Sequence, residues 1–391
     1  MAVALRYPEV SDLCIGKPPV RSLPPSATVA DALAALRSGG AASYVAVVAG
    51  DRAPSPSRSP EKARDVAGRV GIADVVCFLC ADERSLADPA GALRSPVSAL
   101  LPKDAPPIRR VEPHASVLEA LDVILEGASA LVVPIRSGGR RRLSGGGEFC
   151  WLTHEDFVRY FLNSIALFAP VAALSVAALG LVRPAGPSVR LHDPALSALP
   201  LLRRALADHS AVAVLSAAGD LAGELSPALL ASSSDVTAAA AAVATLSVGD
   251  LMAFADYASP PESLVRAIKS RLKGRGLDRL LDLIEEDVAD AASVLSVSPF
   301  ATSSSSDEES VGPKRRRRQR SGRSLSSSEA AACHPGSSLM AVMVQAVAHR
   351  VSHVWVVEDD VDDYGSGGRR LVGIVAFADV LSVFREQLVE L

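Results

Sequence analysis

The fold is decided by residues 337–384, and above all by the run LVGIVAFADVL at residues 371–381. Apolar residues in the first part of this stretch recur at the spacing of one helix face, behind serines that can cap a helix. The β-rich run His353–Val357 follows, and residues 371–375 return beside it as a predicted hairpin partner. A second helix is expected to begin near Phe377, with Asp379 in its first turn, where the helix dipole favours a carboxylate. The predicted order is therefore helix, strand, strand, helix.

The same order of elements recurs three times upstream, so the sequence predicts four copies of one unit. In each copy a stripe of small and branched apolar residues marks the first helix, and a short β-rich run follows it. The predicted boundaries are 8–82 for the first copy, 95–163 for the second, 171–231 for the third, and 246–252 with 329–387 for the fourth.

The fourth copy is interrupted by a long insert that has two parts. Residues 253–300 carry apolar residues at helical spacing and are predicted to form amphipathic helices. Residues 301–328 are rich in serine and in charge, so they are predicted to be disordered. Lengthening a connection to this size costs only about 2 kcal/mol of closure entropy, which the fold can tolerate.

Composition limits the broad class of the protein. The chain has 391 residues, of which 49% are hydrophobic and 4% aromatic, and its formal net charge is −4. This length and composition predict a globular protein of two or three domains with small, alanine-rich helices. The five cysteines are odd in number and scattered, which predicts a reducing compartment. Charges interrupt the first residues too early for a secretory signal.

The run at 371–381 resembles the signature of the CBS domain, a small module named after cystathionine β-synthase. In that family a glycine in the third strand is followed after three residues by a serine or threonine, and after three more by an aspartate. Gly373 and Asp379 match this pattern, whereas Ala376 replaces the hydroxyl residue. The resemblance implies an α/β fold of two CBS pairs, or Bateman modules, in which each CBS unit is a small sheet with two helices packed on it.

The other three copies keep different parts of the signature. The second has Thr153 and Asp156 but carries Cys150 at the glycine position. The first has Asp74, with Gly71 in place of the hydroxyl residue. The third is the most altered, and its residues at these positions are Gly223, Ser226 and Leu229. Only the second copy therefore has both the hydroxyl and the carboxylate.

The CBS resemblance implies a regulatory ligand rather than a cofactor: AMP, ADP or ATP. In CBS pairs that bind adenosine compounds, the aspartate accepts the ribose hydroxyls, and the free N–H groups at the same helix end face phosphate. The residues that would carry this role are Thr153, Asp156, Asp379, Asp74 and Ser226. The alternative is a capping-box pair, in which Thr153 and Asp156 only start a helix.

Two histidines extend this candidate site. The gamma regulatory subunits of AMP-activated and Snf1-related protein kinases have a His-Arg pair before the second strand, where it reaches the nucleotide phosphates. His353 falls at the arginine position of the fourth copy, and His209 falls at the histidine position of the third. Both would then contact phosphate. The alternative is that they are half-exposed histidines at a strand edge.

The sequence argues against an enzyme, a metal site and a membrane span. It contains no nucleophile elbow, no zinc-protease helix and no phosphate-binding Walker loop. The single Cys77-x-x-Cys80 lies on the apolar side of a predicted helix, which favours core packing over zinc. Residues 161–182 lack charge over a length that could cross a bilayer, but the repeat explains them as the end of one copy and the start of the next.

A basic run at residues 313–320 bears on location. It can be a nuclear import signal, an anion-binding segment or a solvated charge run. We expect the protein in the cytoplasm, the nucleus or both.

The layout of the whole chain resembles the plant CBS-domain-containing proteins, and we expect a non-catalytic regulator. It would sense an adenosine-containing ligand and pass the signal to a protein partner such as a protein kinase or another regulated enzyme. We also expect a homodimer through the CBS pairs. We expect no binding to nucleic acid or to a membrane. The alternative is a ligand-free scaffold whose nucleotide pockets have degenerated.

Overall fold

The computed structural model describes residues 8–38, 44–48, 66–102, 106–135, 148–232, 235–257, 260–285, 329–361 and 367–390. The predicted disordered segment at 301–328, its basic run and the end of the predicted helical insert lie outside these residues. Within them the protein is a mixed α/β fold of small sheets and short helices, so the predicted fold class is confirmed. The boundaries of the four units stay predictions.

Each unit contributes one small sheet. The strands are β1 (Ser22–Leu23), β2 (Val45–Val48), β3 (Val66–Val70), β4 (Ile108–Arg110), β5 (Ala130–Ile135), β6 (Glu148–Leu152), β7 (Arg183–Pro184), β8 (Ser188–Arg190), β9 (Val212–Leu215), β10 (Leu221–Leu225), β11 (Ala332–Cys333), β12 (His353–Val361) and β13 (Gly367–Ala376). In every unit the first strand is parallel to the second, and the second is antiparallel to the third.

Helices follow and precede these strands. They are α1 (Val10–Leu13), α2 (Val29–Ser38), α3 (Ile72–Leu79), α4 (Glu83–Ala87), α5 (Pro89–Leu93), α6 (Val117–Leu125), α7 (His154–Asn163), α8 (Ala169–Ala172), α9 (Leu199–Asp208), α10 (Pro227–Ala231), α11 (Val236–Thr245), α12 (Val248–Asp256), α13 (Glu262–Gly274), α14 (residues 278–285), α15 (Leu339–His349) and α16 (Phe377–Glu390). Short 3-10 helices occupy Val97–Leu100, Ile165–Phe168 and Ala195–Ala198.

The apolar stripes read from the sequence form the buried faces of the first helices. On α6, Val117, Ala120, Leu121 and Ile124 are all buried, and the matching residues of α2 and α15 are buried in the same way. Ser116 begins α6 as its cap, because its hydroxyl accepts the N–H of Glu119 at 3.1 Å. Helical spacing and capping therefore located these helices correctly.

The units assemble through two kinds of contact. Sheets meet within each pair: β3 of the first unit contacts β4 of the second, and β10 of the third contacts β13 of the fourth. Helices join the pairs, since one apolar core combines the first and third units and another combines the second and fourth. In the second of these cores Phe161 and Phe384 stack with ring centroids 4.7 Å apart. The centre of the molecule is therefore the place where all four units approach one another.

The signature glycine of the fourth unit has a packing reason. β7 pairs with β13, and Gly373 lies opposite Pro184. A Cβ on Gly373 would lie 2.7 Å from Cγ1 of Val182 and closer still to the carbonyl oxygen of Arg183, so no side chain fits without a shift of backbone. The glycine therefore lets a segment from outside the unit extend its sheet and brings Arg183 beside the start of α16.

The helices of the insert and the helix before them pack into the core. α11 is an alanine-rich helix that the sequence analysis did not predict, and it is buried on nearly every side between the first and third units. Small side chains permit this, because neighbouring helices can approach its backbone closely. α13 packs against α11 through its buried Ile268 and Leu272. The described part of the insert includes the helices α13 and α14, and amphipathic helices over the whole of 253–300 stay a prediction.

Candidate ligand-binding cavity

A cavity of about 580 Å³ opens between the third and fourth units. Its strand residues, among them Val212, Trp355 and Ile374, give an apolar wall. Residues 376–378, at the beginning of α16, also line it. The volume is of the size that small-molecule sites have in proteins.

Cationic and imidazole side chains from three units also line this cavity. Arg204 comes from α9 and Arg183 from β7, while His154 opens α7 of the second unit. The carboxylate of Asp208 is 3.5 Å from Nε of Arg204, and both side chains are largely exposed. The lining thus combines two guanidinium groups with one carboxylate, which favours an anionic ligand.

His209 stands at the junction of this cavity with a smaller one. It ends α9 in the left-handed conformation, with φ of 52°, and its carbonyl accepts a hydrogen bond from the Ser352 hydroxyl. Its ring lies 2.6 Å from Nη2 of Arg69 and 6.5 Å, between ring centroids, from His154. Three nitrogen-rich side chains from three units therefore meet at one point.

The charges of this cluster follow from its burial. Burial, and then the charge of Arg69, lowers the pKa of His154 to about 4 and that of His209 to about 3. Both imidazoles are therefore neutral at pH 7, and Arg69 supplies the positive charge. Its guanidinium lies 4.5 Å above the ring of Tyr44, a cation–π contact that holds it in place.

The smaller cavity, of about 100 Å³, lies between the first and second units and α9 of the third. Arg69, Asp74 and His209 line it together with apolar side chains. Leu101 projects into the space beside Gly68, where a Cβ would lie 2.6 Å from its Cδ2 atom. This cavity is much smaller than the one between the third and fourth units because apolar side chains fill it.

The carboxylates predicted for ribose binding all hold the N–H group of their own helix cap. Asp74 accepts the N–H of Gly71 at 2.7 Å, Asp156 that of Thr153 at 2.7 Å, and Asp379 that of Ala376 at 3.1 Å. The capping alternative stated for the sequence therefore describes a contact that is present. A role in ligand binding stays a prediction for each of the three.

Two of these carboxylates also hold a cation from outside their unit. Lys17 Nζ is 2.6 Å from Asp156, and Arg183 Nε is 2.9 Å from Asp379. Asp74 is instead deeply buried, and burial raises its pKa to about 6 although Arg69 acts in the opposite direction. Thr153 also donates its hydroxyl to Asp156 at 3.0 Å, and its role in ligand binding stays a prediction.

The other predicted site residues are placed less favourably for a ligand. Ser226 is buried and caps α10, where its hydroxyl accepts the N–H of Leu229 at 3.2 Å. Leu229 itself is buried at the position of the missing carboxylate. His353 lines the large cavity, but Glu224 holds its Nε2 at 3.0 Å and also accepts Nε1–H of Trp355 at 2.8 Å. The alternative of a half-exposed His353 is wrong, because only 3% of the residue is exposed.

Sequence reasoning missed the cations of the site. Arg69, Arg183, Arg204 and Lys17 lie in no recognised motif, and only the fold brings them to the helix starts. His154 could have been found, because it follows Thr153 directly and begins the same helix. The buried Cys77 and Cys80 pack in the core, and among the described residues no three metal-ligating side chains form a cluster. Over the same residues, every helix is too short or too polar to cross a membrane.

Comparisons with known proteins agree with this architecture. The family model of the CBS domain matches residues 323–386. The chain is 39% identical over 411 residues to the CBS domain-containing protein CBSX5 of Arabidopsis thaliana, covering 99% of each. It is 25% identical to CBSX6 of the same plant over 437 residues, covering 99% of this chain and 95% of the relative.

A solved structure shares the fold over nearly the whole chain. It is protein MJ1225 from Methanocaldococcus jannaschii, which its description proposes as an archaeal homologue of g-AMPK. The TM-score is 0.53 at 13% sequence identity, and the match covers 96% of this chain and 100% of the archaeal one.

Proposed function

The chain belongs to the CBS domain-containing proteins, and on that premise we propose that it is a non-catalytic regulator that binds an adenosine phosphate between its third and fourth units. The observation that carries the proposal is the large cavity, whose wall is apolar on the strands and cationic at the helix ends. An adenine ring needs an apolar slot, and a phosphate needs guanidinium groups and helix N–H groups.

The distribution of the lining residues explains how binding would be transmitted. Arg204 and Arg183 both lie within the predicted bounds of the third unit, and His154 belongs to the second. A ligand that contacts all three would stabilise one arrangement of the two pairs over others, and a ligand shifts an equilibrium only by such a difference in affinity. The partner that receives this signal, a protein kinase or another regulated enzyme, stays a prediction from the family resemblance.

Arg204 offers the sharpest test of this site, because the chain contains a matched control. Its side chain is 75% exposed and forms an i,i+4 pair with Asp208, while Arg266 on α13 is 76% exposed and forms an i,i+4 pair in the opposite orientation with Glu262. Only Arg204 lines the cavity. Arg204→Ala and Arg266→Ala therefore remove equivalent surface pairs and differ in the proposed ligand contact.

The experiment is titration calorimetry, with thermal melting, for AMP, ADP, ATP, adenosine and inorganic phosphate. A ligand at about a hundred times its dissociation constant should add roughly 2.7 kcal/mol to the free energy of unfolding. Arg204→Ala should weaken the binding of the adenosine phosphates about tenfold, because a hydrogen bond to a charged group is lost. Arg266→Ala should match the wild type. Equal affinities for both variants would remove the proposed site.

A ligand-free scaffold is the second candidate, and a specific observation favours it. Asp74, Asp156 and Asp379 already hold the N–H groups of their helix caps, and Leu229 replaces the fourth carboxylate. In a scaffold these residues would only start helices. Under this hypothesis no adenosine compound raises the melting temperature, even at millimolar concentration. Stabilisation by any of them would exclude the scaffold.

A further inference from the structure

The segment Cys14–Val20, here called the strap, lies along β6 of the second unit. The N–H of Val20 donates to the carbonyl of Phe149 at 2.8 Å. Lys17 Nζ donates to the carbonyl of Trp151 at 2.8 Å and pairs with Asp156 at 2.6 Å. The strap is therefore fastened on both sides of the residue between them, which is Cys150.

Cys14 and Cys150 are in contact between the strap and β6. Cys14 packs against the apolar cluster that contains Cys150, and each thiol is the largest influence on the pKa of the other. Cys14 is half-buried and reachable from solvent, whereas Cys150 is fully buried. Cys150 also stands where the CBS signature has glycine, so its side chain is an addition to the usual strand.

We propose that Cys14 and Cys150 form a reversible disulfide that locks the strap onto the second unit. The two side chains pack in one cluster, one of the thiols is accessible, and the backbone on both sides of Cys150 is held against the strap. The anchoring contacts of Lys17 and Val20 keep the two sulfurs together in the reduced protein. Oxidation would then need little movement of the chain.

A low-molecular-weight disulfide such as glutathione disulfide serves as the oxidant in this scheme. In the singly deprotonated pair, the Cys14 sulfur attacks one glutathione sulfur while its proton moves to the Cys150 thiolate. The first glutathione leaves as a thiolate and takes the proton of Cys150. Cys150 then attacks the Cys14 sulfur and releases the second glutathione as a thiolate. Two electrons pass from the protein pair to glutathione, and one disulfide replaces the other.

The surroundings favour this pair over the other cysteines. The neighbouring Cys14 thiol lowers the pKa of the Cys150 thiol against the effect of burial, and the charge of Lys17 acts in the same direction as Cys14. Cys150 in turn raises the pKa of Cys14, so Cys150 is the first thiol of the pair to lose its proton. In contrast, burial raises the pKa of Cys77 to about 12 and that of Cys333 to about 11. Cys80 is buried as deeply as Cys77, and neither thiol is accessible to the oxidant.

The consequence is a strap that opens only in the reduced protein. With the disulfide formed, Lys17 stays on Asp156, and the carboxylate remains covered. With the thiols reduced, only the contacts of Lys17 and Val20 hold the strap. The oxidised form should therefore exchange the backbone amides of the strap residues other than Pro18 and Pro19 at least tenfold more slowly than the reduced form.

The test equilibrates the purified full-length protein in glutathione buffers from reducing to oxidising and traps free thiols with an alkylating agent. Peptide mapping by mass spectrometry should then find Cys14 linked to Cys150, with Cys77, Cys80 and Cys333 alkylated. Return to the reducing buffer should restore all five thiols. The amide exchange of residues 14–20 is measured on the same two samples.

Two variants complete the test. Cys14→Ser keeps the shape of a half-buried side chain and should abolish the crosslink, and Cys333→Ser, which changes another thiol, should leave it intact. Thermal melting checks that both variants are folded. A stable glutathione adduct on Cys14 without the crosslink, a crosslink between Cys77 and Cys80 instead, or unchanged amide exchange would each overturn the proposal. None of these outcomes depends on whether a nucleotide binds between the third and fourth units.

Discussion

The second and fourth units each place a carboxylate in the first turn of the corresponding helix, but the two carboxylates have different partners. Asp156 holds its cap N–H and the ammonium of Lys17, and Asp379 holds its cap N–H and the guanidinium of Arg183. The Lys17 side chain is 24% exposed and that of Arg183 is 55% exposed. Lys17 also donates to a backbone carbonyl, whereas Arg183 lines the large cavity.

This difference shows that the signature fixes the start of the helix, while residues outside the unit decide whether its carboxylate is available. A ligand phosphate can compete for the exposed Arg183 and leave Asp379 free to accept a ribose hydroxyl. At Asp156 a ligand would have to displace Lys17 from two partners at once. The sequence ranked Asp156 first because its unit alone has both polar residues, but the geometry favours Asp379.

Asp74 is the corresponding carboxylate of the first unit, and burial has the largest effect on its pKa. Its pKa is raised to about 6, so between about pH 4 and pH 6 the folded protein binds a proton that the unfolded chain has lost. Stability from this group is therefore present at low pH and decreases as pH rises through that window. Two pKa units correspond to about 3 kcal/mol, so Asp74→Asn should exceed the wild type in stability at pH 7 by up to that amount.

Urea unfolding from pH 4 to pH 7 measures this effect as the difference between variant and wild type. His154 and His209, whose pKa values are low, contribute equally to the pH dependence of both proteins, so their contributions cancel in the difference. Asp31→Asn is the matched control, since Asp31 caps α2 in the same unit but is exposed, and the Thr28 hydroxyl lowers its pKa. Its substitution should reduce stability at pH 7. A pH-independent difference for Asp74→Asn would show that the carboxylate is solvated.

The binding experiment addresses the comparison directly. Asp379→Ala should weaken the binding of an adenosine phosphate about tenfold, because a hydrogen bond to a charged acceptor is worth roughly 1.5 kcal/mol or more. Asp156→Ala should leave the affinity within about twofold, since its carboxylate already holds Lys17. Titration calorimetry on both variants and the wild type decides between them.

A loss of binding in Asp156→Ala, with Asp379→Ala unchanged, would reverse the ranking and restore the one read from the sequence. Thermal melting of both variants controls for loss of the fold. Each substitution also removes a contact at a helix start worth about 1 kcal/mol. Asp156→Ala in addition leaves the less exposed Lys17 without its carboxylate, so its melting temperature should fall somewhat further than that of Asp379→Ala.

Much of the fold could be predicted because its signals are local. The apolar stripes of α6 and α15 lie on single helices, and the signature run at 371–381 spans one strand and one helix start. The alanine-rich α11 was missed because it is buried on nearly every side and so lacks the polar face that makes a helix recognisable. Its place in the core depends on contacts with other units.

The candidate site could be predicted only in part, for the same physical reason. Its carboxylates belong to the repeated pattern, so the sequence found them. Its cations come from β3, β7 and α9, and from the strap, so nothing near them in the sequence indicates which helix start they face. The burial of His353 also depends on a distant partner, Glu224, which lies 129 positions away. Side-chain contacts between units form only when the units assemble, so the sequence of a single repeat does not indicate them.

Substitution of the two cations, Lys17 and Arg183, should have the smallest effect, which is a difference in the free energy of unfolding. Lys17→Met keeps the aliphatic stem but removes a half-buried ion pair and the bond to the Trp151 carbonyl, so it should lower the free energy of unfolding by about 1 kcal/mol. Arg183→Met removes a more exposed pair, which solvent and salt screen, and should cost about 0.5 kcal/mol or less. Urea unfolding at low and high salt measures both, and the double variant of Lys17→Met with Asp156→Asn gives the coupling between that pair. A larger loss for Arg183→Met than for Lys17→Met would mean that Arg183 is the fixed cation and that Asp156, rather than Asp379, is the carboxylate a ligand can reach.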